Sequence, residues 1–174
     1  MRTLILIPAI LGFAMIAAPA AAQLDAPGSR ATLVGLPGFF VAVEDMDTSA
    51  SRVGVTSAVI QTDVEARLRA AGIRLYTAED FKNVLEVPQL YININELALH
   101  GAEAGLFTYN ATTEVRQLIK LSRDTAITST SVTWRAPATV GTVGSDNFYT
   151  AVRDVVREEV DLLITAFHAA NPGR

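Results

Sequence analysis

The sequence predicts an α+β domain: a mixed, mostly antiparallel sheet with two main helices packed on one face, in the order β-α-β-(short α)-β-β-β-α. Three observations carry this reading. Apolar residues recur at helical spacing over residues 56–71 and 145–168. They alternate with polar residues over 90–95 and 107–121. A strand–helix–strand run at 39–76 has the form of a right-handed crossover between parallel strands.

The chain opens with MRTLILIPAILGFAMIAAPAAA. Arg2 is a short positive region, Leu4 to Ala18 an apolar stretch broken by Pro8 and Gly12, and Ala20 and Ala22 a small-x-small site. This predicts a cleaved export signal, with cleavage near Ala22 leaving Gln23 first. The uninterrupted run falls short of the ~20 apolar residues that span a bilayer, and no stop-transfer flank follows. No integral membrane segment is expected after cleavage. The expected destination is the periplasm or the exterior.

Residues 23–35 hold Pro, Gly and Ser without a sustained period and predict a flexible lead-in to a single domain over 36–170. Leu36-Pro37-Gly38 marks a turn, and Phe39 to Val43 a buried strand ending in Glu44-Asp45-Met46-Asp47. In the helix over 56–71, Ile60, Val64, Leu68 and Ala71 share a face, Thr56 or Ser57 caps the start, and Gly72 follows the end. Ile73 to Tyr76 is a short strand. Thr77 with Asp80 has the form of a capping box, opening a short helix that runs through Leu85 and stops before Pro88.

Leu90, Ile92 and Ile94 then alternate with Tyr91, Asn93 and Asn95, and His100 to Gly105 is a loop. Phe107, Tyr109, Ala111, Thr113 and Val115 lie on one parity, with Thr108, Asn110, Thr112, Glu114 and Arg116 on the other: a half-buried strand. Ser122-Arg123-Asp124 turns the chain, and Ala126 to Trp134 returns as the hairpin partner. An even-numbered loop pairs Leu121 with Ala126, Val115 with Val132 and Thr113 with Trp134, which buries the tryptophan. Pro137 to Ser145 reads as a Gly-containing loop. Ser145 or Asp146 caps a final helix to about His168, with Glu158-Glu159 on a solvated or paired face and Asn171-Pro172 as the stop.

Of 174 residues, 14 are Lys or Arg, 18 are Asp or Glu and none is Cys, for a formal charge of -4. Half are hydrophobic and the mean hydropathy is +0.31. Much of that excess sits in the export signal; residues 23–174 are about 46% hydrophobic, an ordinary globular proportion. The acidic balance argues against nucleic acid as a partner. Absent cysteine excludes thiolate metal sites, disulfides and cysteine nucleophiles.

His100 and His168 stand far apart with no spaced metal motif, and neither has a serine and an acid beside it. Glu44, Asp45 and Asp47 cluster at a strand end but lack the spacing of a calcium loop, and read as a solvated loop. Gly141-Thr142-Val143-Gly144 precedes a helix but lacks the Lys-Ser/Thr of a phosphate loop. No catalytic residue, metal site or cofactor is therefore predicted. Asn110-Ala111-Thr112 matches the glycosylation sequon, in a predicted strand.

Gly35-Leu36-Pro37-Gly38-Phe39, the run Leu68-Arg69-Ala70-Ala71-Gly72-Ile73, and Gly141 to Gly144 before a helix ending in Asn171-Pro172 resemble small uncharacterised exported bacterial proteins. The element order over 36–170 is similar to the N-terminal domain of TolB and related envelope accessory lipoproteins. The chain lacks the lipobox cysteine of the lipoproteins and the propeller of TolB. The resemblance implies work by contact with other envelope components.

The sequence thus predicts an exported, non-enzymatic binding or interaction module whose partner is another envelope protein. Its candidate interaction face is Thr108, Asn110, Thr112 and Arg116, or an unpaired sheet edge. An alternative is a small apolar-ligand carrier with a pocket lined by Phe39, Tyr91, Tyr109 and Trp134. A third reading is a hydrolase built on Glu44, Asp45 and Asp47.

Overall fold

A computed structural model of the chain describes residues 27–84, 86–100 and 105–173. The predicted export signal and residues 23–26 of the lead-in lie outside the described residues. The described chain runs α1 (Pro27–Ala31), β1 (Gly38–Val43), α2 (Thr48–Arg52), α3 (Ser57–Ala70), β2 (Arg74–Leu75), α4 (Ala78–Asn83), β3 (Gln89–Ala98), β4 (Leu106–Leu121), β5 (Asp124–Arg135), β6 (Thr139–Gly144) and α5 (Ser145–Ala170). The strand order is β2-β1-β3-β4-β5, with β6 also paired to β4. β1 runs parallel to β2 and β3; the β4 pairings with β3, β5 and β6 are antiparallel. The fold is α+β with a mixed, mostly antiparallel sheet.

The two long helices, α3 and α5, cover one face of the sheet, as their apolar stripes require. Ile60, Val64 and Leu68 from α3 and Val152, Val156, Val160 and Leu163 from α5 meet Val41, Leu90, Ile92 and Val115 from the strands. Phe39 meets Phe167 edge-on with ring centroids 5.6 Å apart, and Phe107 stacks on Phe148 at 4.3 Å. Each such side chain contributes about 1.5–3 kcal/mol through burial alone. Thr56 caps α3, its hydroxyl accepting from Val59 N–H at 3.3 Å. Thr77 and Asp80 form the reciprocal capping box of α4.

Five expectations are corrected. The lead-in is folded from residue 27: α1 leads into a turn that buries Leu33 completely. Asn171 fixes that turn, accepting from Gly35 N–H at 2.8 Å and donating to Leu33 C=O at 3.0 Å. A short helix, α2, follows the acidic stretch, with Asp47 as its N-cap. Residues 139–144 form β6 instead of a loop. β3 occupies one edge of β4 over residues 107–116, and β5 takes the other edge only from Glu114 onward. Leu106 to Ala111 therefore need a second partner, and β6 supplies it. Gly141 belongs there because a Cβ would stand 2.7 Å from the Tyr109 ring lying over it.

The hairpin register also differs. Val115 faces Trp134, Arg116 faces Val132 and Leu121 faces Asp124. Thr133 is an extra residue in a bulge, its hydroxyl accepting from Gln117 Nε2 at 2.6 Å and donating to Val115 C=O at 3.3 Å. The bulge keeps Trp134 buried and turns Val132 outward. Finally, Gly144 is the N-cap of α5, with no side-chain bond from Ser145 or Asp146.

Candidate functional site

Among the described residues, the second face of the sheet has only α4 against it, at the β1 end, where Phe81 stacks on Phe40 at 4.5 Å. Beyond that contact the outward residues of β3 and β4 lie in register: Tyr91 beside Glu114, Asn93 beside Thr112, Asn95 beside Asn110. The predicted residues Thr108, Asn110, Thr112 and Arg116 all fall on this face, half-buried among their neighbours.

A connected set of polar contacts crosses the face. Asn95 donates to Asn93, and Asn93 and the Tyr91 hydroxyl both donate to the Glu44 carboxylate. The Arg116 guanidinium lies 3.4 Å from the Tyr91 ring centroid and donates to Glu114 at 3.0 Å. Arg135 donates to the other Glu114 oxygen. Two guanidinia thus screen Glu114, which is only 5% exposed although no helix among the described residues covers it. Two arginines and two glutamates balance, so the face offers hydrogen bonds and an aromatic ring without a charge excess. Thr108 and Thr142 share a hydrogen bond of 3.1 Å across β4 and β6. The Thr112 hydroxyl has no hydrogen-bond partner among the described residues, and Asn110 has only a long bond to Thr139 C=O at 3.5 Å.

The residue parity of β3 put Tyr91, Asn93 and Asn95 on one side in the sequence. Sequence reasoning missed Glu44 and Arg135 as members of the network. Both reach it from other strands, and only the pairing of β1 and β5 supplies that neighbourhood.

The predicted apolar pocket is divided by the sheet. Phe39, Tyr109 and Trp134 lie on the helix side, at most 7% exposed. Tyr91 lies on the opposite side, bound to Glu44 and covered by Arg116. The correction follows from strand parity, since residue 91 must oppose residues 90 and 92. The three inward aromatics fill the core: Phe39 meets Phe167 and Tyr109 meets Phe148. Two surface grooves lie elsewhere, one of about 380 Å³ between α3 and α5 and one of about 580 Å³ along β1 beside Gln61, Glu65 and Arg69. The first is bridged by Arg67 with Asp161 and by Arg153 with Asp63.

The acidic cluster is dispersed into separate structural tasks. Glu44 joins the outer network, Asp45 accepts from Ser57 at 3.5 Å, and Asp47 caps α2 through Ser49 N–H at 2.8 Å. The bond to Ser49 holds the Asp47 carboxyl below its ordinary value. Asp47 N–H donates to Glu96 at 2.7 Å, yet burial pushes the Glu96 carboxyl upward on balance. Among the described residues no three His, Cys, Asp or Glu side chains are grouped to hold a metal ion. His100 is exposed, and His168 lies against Phe167 near the end of α5.

Glu159 departs most from expectation. It is 2% exposed, facing the sheet, while Glu158 is exposed. Its spacing from Val152, Val156 and Leu163 places it in the apolar stripe, a signal present in the sequence but masked by the adjacent acid.

No protein-family model matches the chain. No curated protein matches it either. Among solved structures it is similar to PelC from Paraburkholderia phytofirmans, described as a dodecamer, at 16% identity and a TM-score of 0.37, over 77% of this chain and 92% of that one. No helix among the described residues is long and apolar enough to cross a membrane.

Proposed function

We propose that the chain is an exported envelope protein, periplasmic or secreted, acting as a non-enzymatic binding module through the outer face of its sheet. The observation that supports this reading is the network from Asn95 through Glu44, Tyr91 and Arg116 to Glu114 and Arg135. It holds long polar side chains in one arrangement before any partner arrives, which lowers the ordering cost of association. Beside it, Asn110 and Thr112 retain unused hydrogen-bonding capacity. A neutral, hydrogen-bonding face suits the polar surface of another envelope protein.

Site-specific photo-crosslinking in the producing cell tests this. A crosslinking residue at Thr112 is expected to capture a defined partner, while one at Thr62, on the exposed side of α3, does not. With the crosslinker kept at position 112, Asn110→Lys on the same face should abolish the capture and change stability by no more than about 1 kcal/mol. Capture from both positions alike, or from neither, rules out this face. The amino terminus of the exported protein tests the address: it should begin at Gln23.

A further inference from the structure

Helix α5 carries Glu159 in line with Val152, Val156 and Leu163, against the sheet. Both carboxyl oxygens are buried and neither has a donor in full hydrogen-bonding geometry, although the Thr113 hydroxyl and the Thr139 hydroxyl and N–H lie near enough to act on the charge. Two more orphaned polar atoms lie on the same side of the sheet. Thr113 Oγ1 is buried and unpartnered on β4, and Trp134 Nε1 is buried and unpartnered one inward-facing position along the ladder, opposite Val115. The groups facing Glu159 from the packed strands are the hydroxyls of Thr113 on β4 and Thr139 on β6, together with Thr139 N–H. Its own helix adds Glu158, a like charge. The charged pairs between α3 and α5, Arg153 with Asp63 and Arg67 with Asp161, occupy other faces of α5, and Glu114 points to the far side of the sheet.

An ionised carboxylate in this setting has lost its water and gained no cation, which is strongly unfavourable. The neutral acid removes the charge and supplies an O–H donor. We propose that Glu159 is a proton-binding site of the folded protein: the core holds its side chain as the neutral acid, its O–H directed to the Thr113 hydroxyl, and α5 loosens from the sheet when the proton leaves.

Burial pushes this carboxyl above the ordinary 4.5, overcoming the opposing pull of Thr113 and Thr139, with Glu158 adding to the rise. The folded state therefore binds the proton more tightly than the unfolded chain. Its contribution to stability is complete below pH 4.5 and is lost as pH rises through the elevated folded-state value.

The test is urea unfolding between about pH 4 and about pH 9, for wild type and Glu159→Gln, followed by emission of the single tryptophan, Trp134. Glutamine copies the neutral acid and cannot ionise. The ratio of wild-type to variant folding constants should fall with rising pH, by up to about tenfold per unit for one proton. A ratio independent of pH overturns the proposal. Should Glu159→Gln fail to fold, the ¹³C carboxyl resonance of Glu159 in the wild-type protein decides: a midpoint above the ordinary glutamate range supports the site, and one within or below it overturns it.

Discussion

Single atoms set the limits at several positions. Gly38, the first residue of β1, has φ +156°, and a Cβ there would stand 2.1 Å from the Arg74 carbonyl oxygen. That atom is backbone of the neighbouring strand, so it cannot swing aside as a side chain would. Gly38→Ala must therefore separate β1 from β2 or distort both. We expect a loss of about 2–4 kcal/mol, from strain and overpacking together, read as a lower urea midpoint. In the sequence, this glycine appears only as part of a Leu-Pro-Gly turn signal. Its real constraint comes from a carbonyl 36 positions away in the chain, which local composition does not encode. Glu159 illustrates the reverse case: its burial is written in the 152-156-159-163 spacing, but charge is ordinarily a strong sign of exposure.

The start of the fold is an element held by its tertiary contacts. A flexible lead-in would make Leu33 replaceable at little cost. Its complete burial in the core cluster, and the clamp from Asn171 onto Gly35 and Leu33, imply the opposite. Leu33→Ala should cost about 2–5 kcal/mol in urea or thermal unfolding, as other leucine truncations in cores do. A change below about 0.5 kcal/mol would restore the flexible reading. The elements legible in the sequence were those with a local signal: periodicity for α3, β3, β4 and α5, a continuous apolar run for β1, a Thr-, Ser- and Val-rich return after a turn for β5, the short strand β2 after Gly72, and the capping box of α4. The elements missed were α1, α2 and β6, of five, five and six residues. Such short pieces carry too little periodic signal, and all three depend on tertiary partners: α1 on α5 and β5, α2 on β3, and β6 on the unpaired half of β4. The candidate face was half legible for the same reason. Strand parity gave Thr108, Asn110, Thr112 and Arg116, whereas Glu44 and Arg135 join them only through strand order.

Stability is distributed unevenly over the whole molecule. Between β1 and the first half of β4 the sheet has α3 and α5 on one face, and its central residues Leu90, Ile92 and Val115 are fully buried. Past Arg116, β4 leaves β3 behind and continues with β5 alone through Gln117–Ser131 and Leu121–Asp124. Residues 122–130 are all exposed, so among the described residues this ribbon has no apolar layer on either side. A two-stranded ribbon without a core is only marginally stable by itself. Its hydrogen bonds should therefore open locally, without unfolding the domain, while those of Leu90 to Ile94 and of mid-α5 open only with global unfolding. Hydrogen exchange at neutral pH should show the ribbon amides exchanging at least about 100-fold faster than the core amides. Uniform protection would mean that the ribbon is held by something beyond its own chain. The same measurement bears on the proposed binding face, because Arg116 and Val132 stand where ribbon and sheet join. A partner docked on Thr112 and Arg116 would tie the base of the ribbon to the rigid sheet. Protection should then rise at Gln117 and Ser131 first and leave the tip near Ser122 unchanged, whereas a partner gripping the ribbon tip would reverse that order.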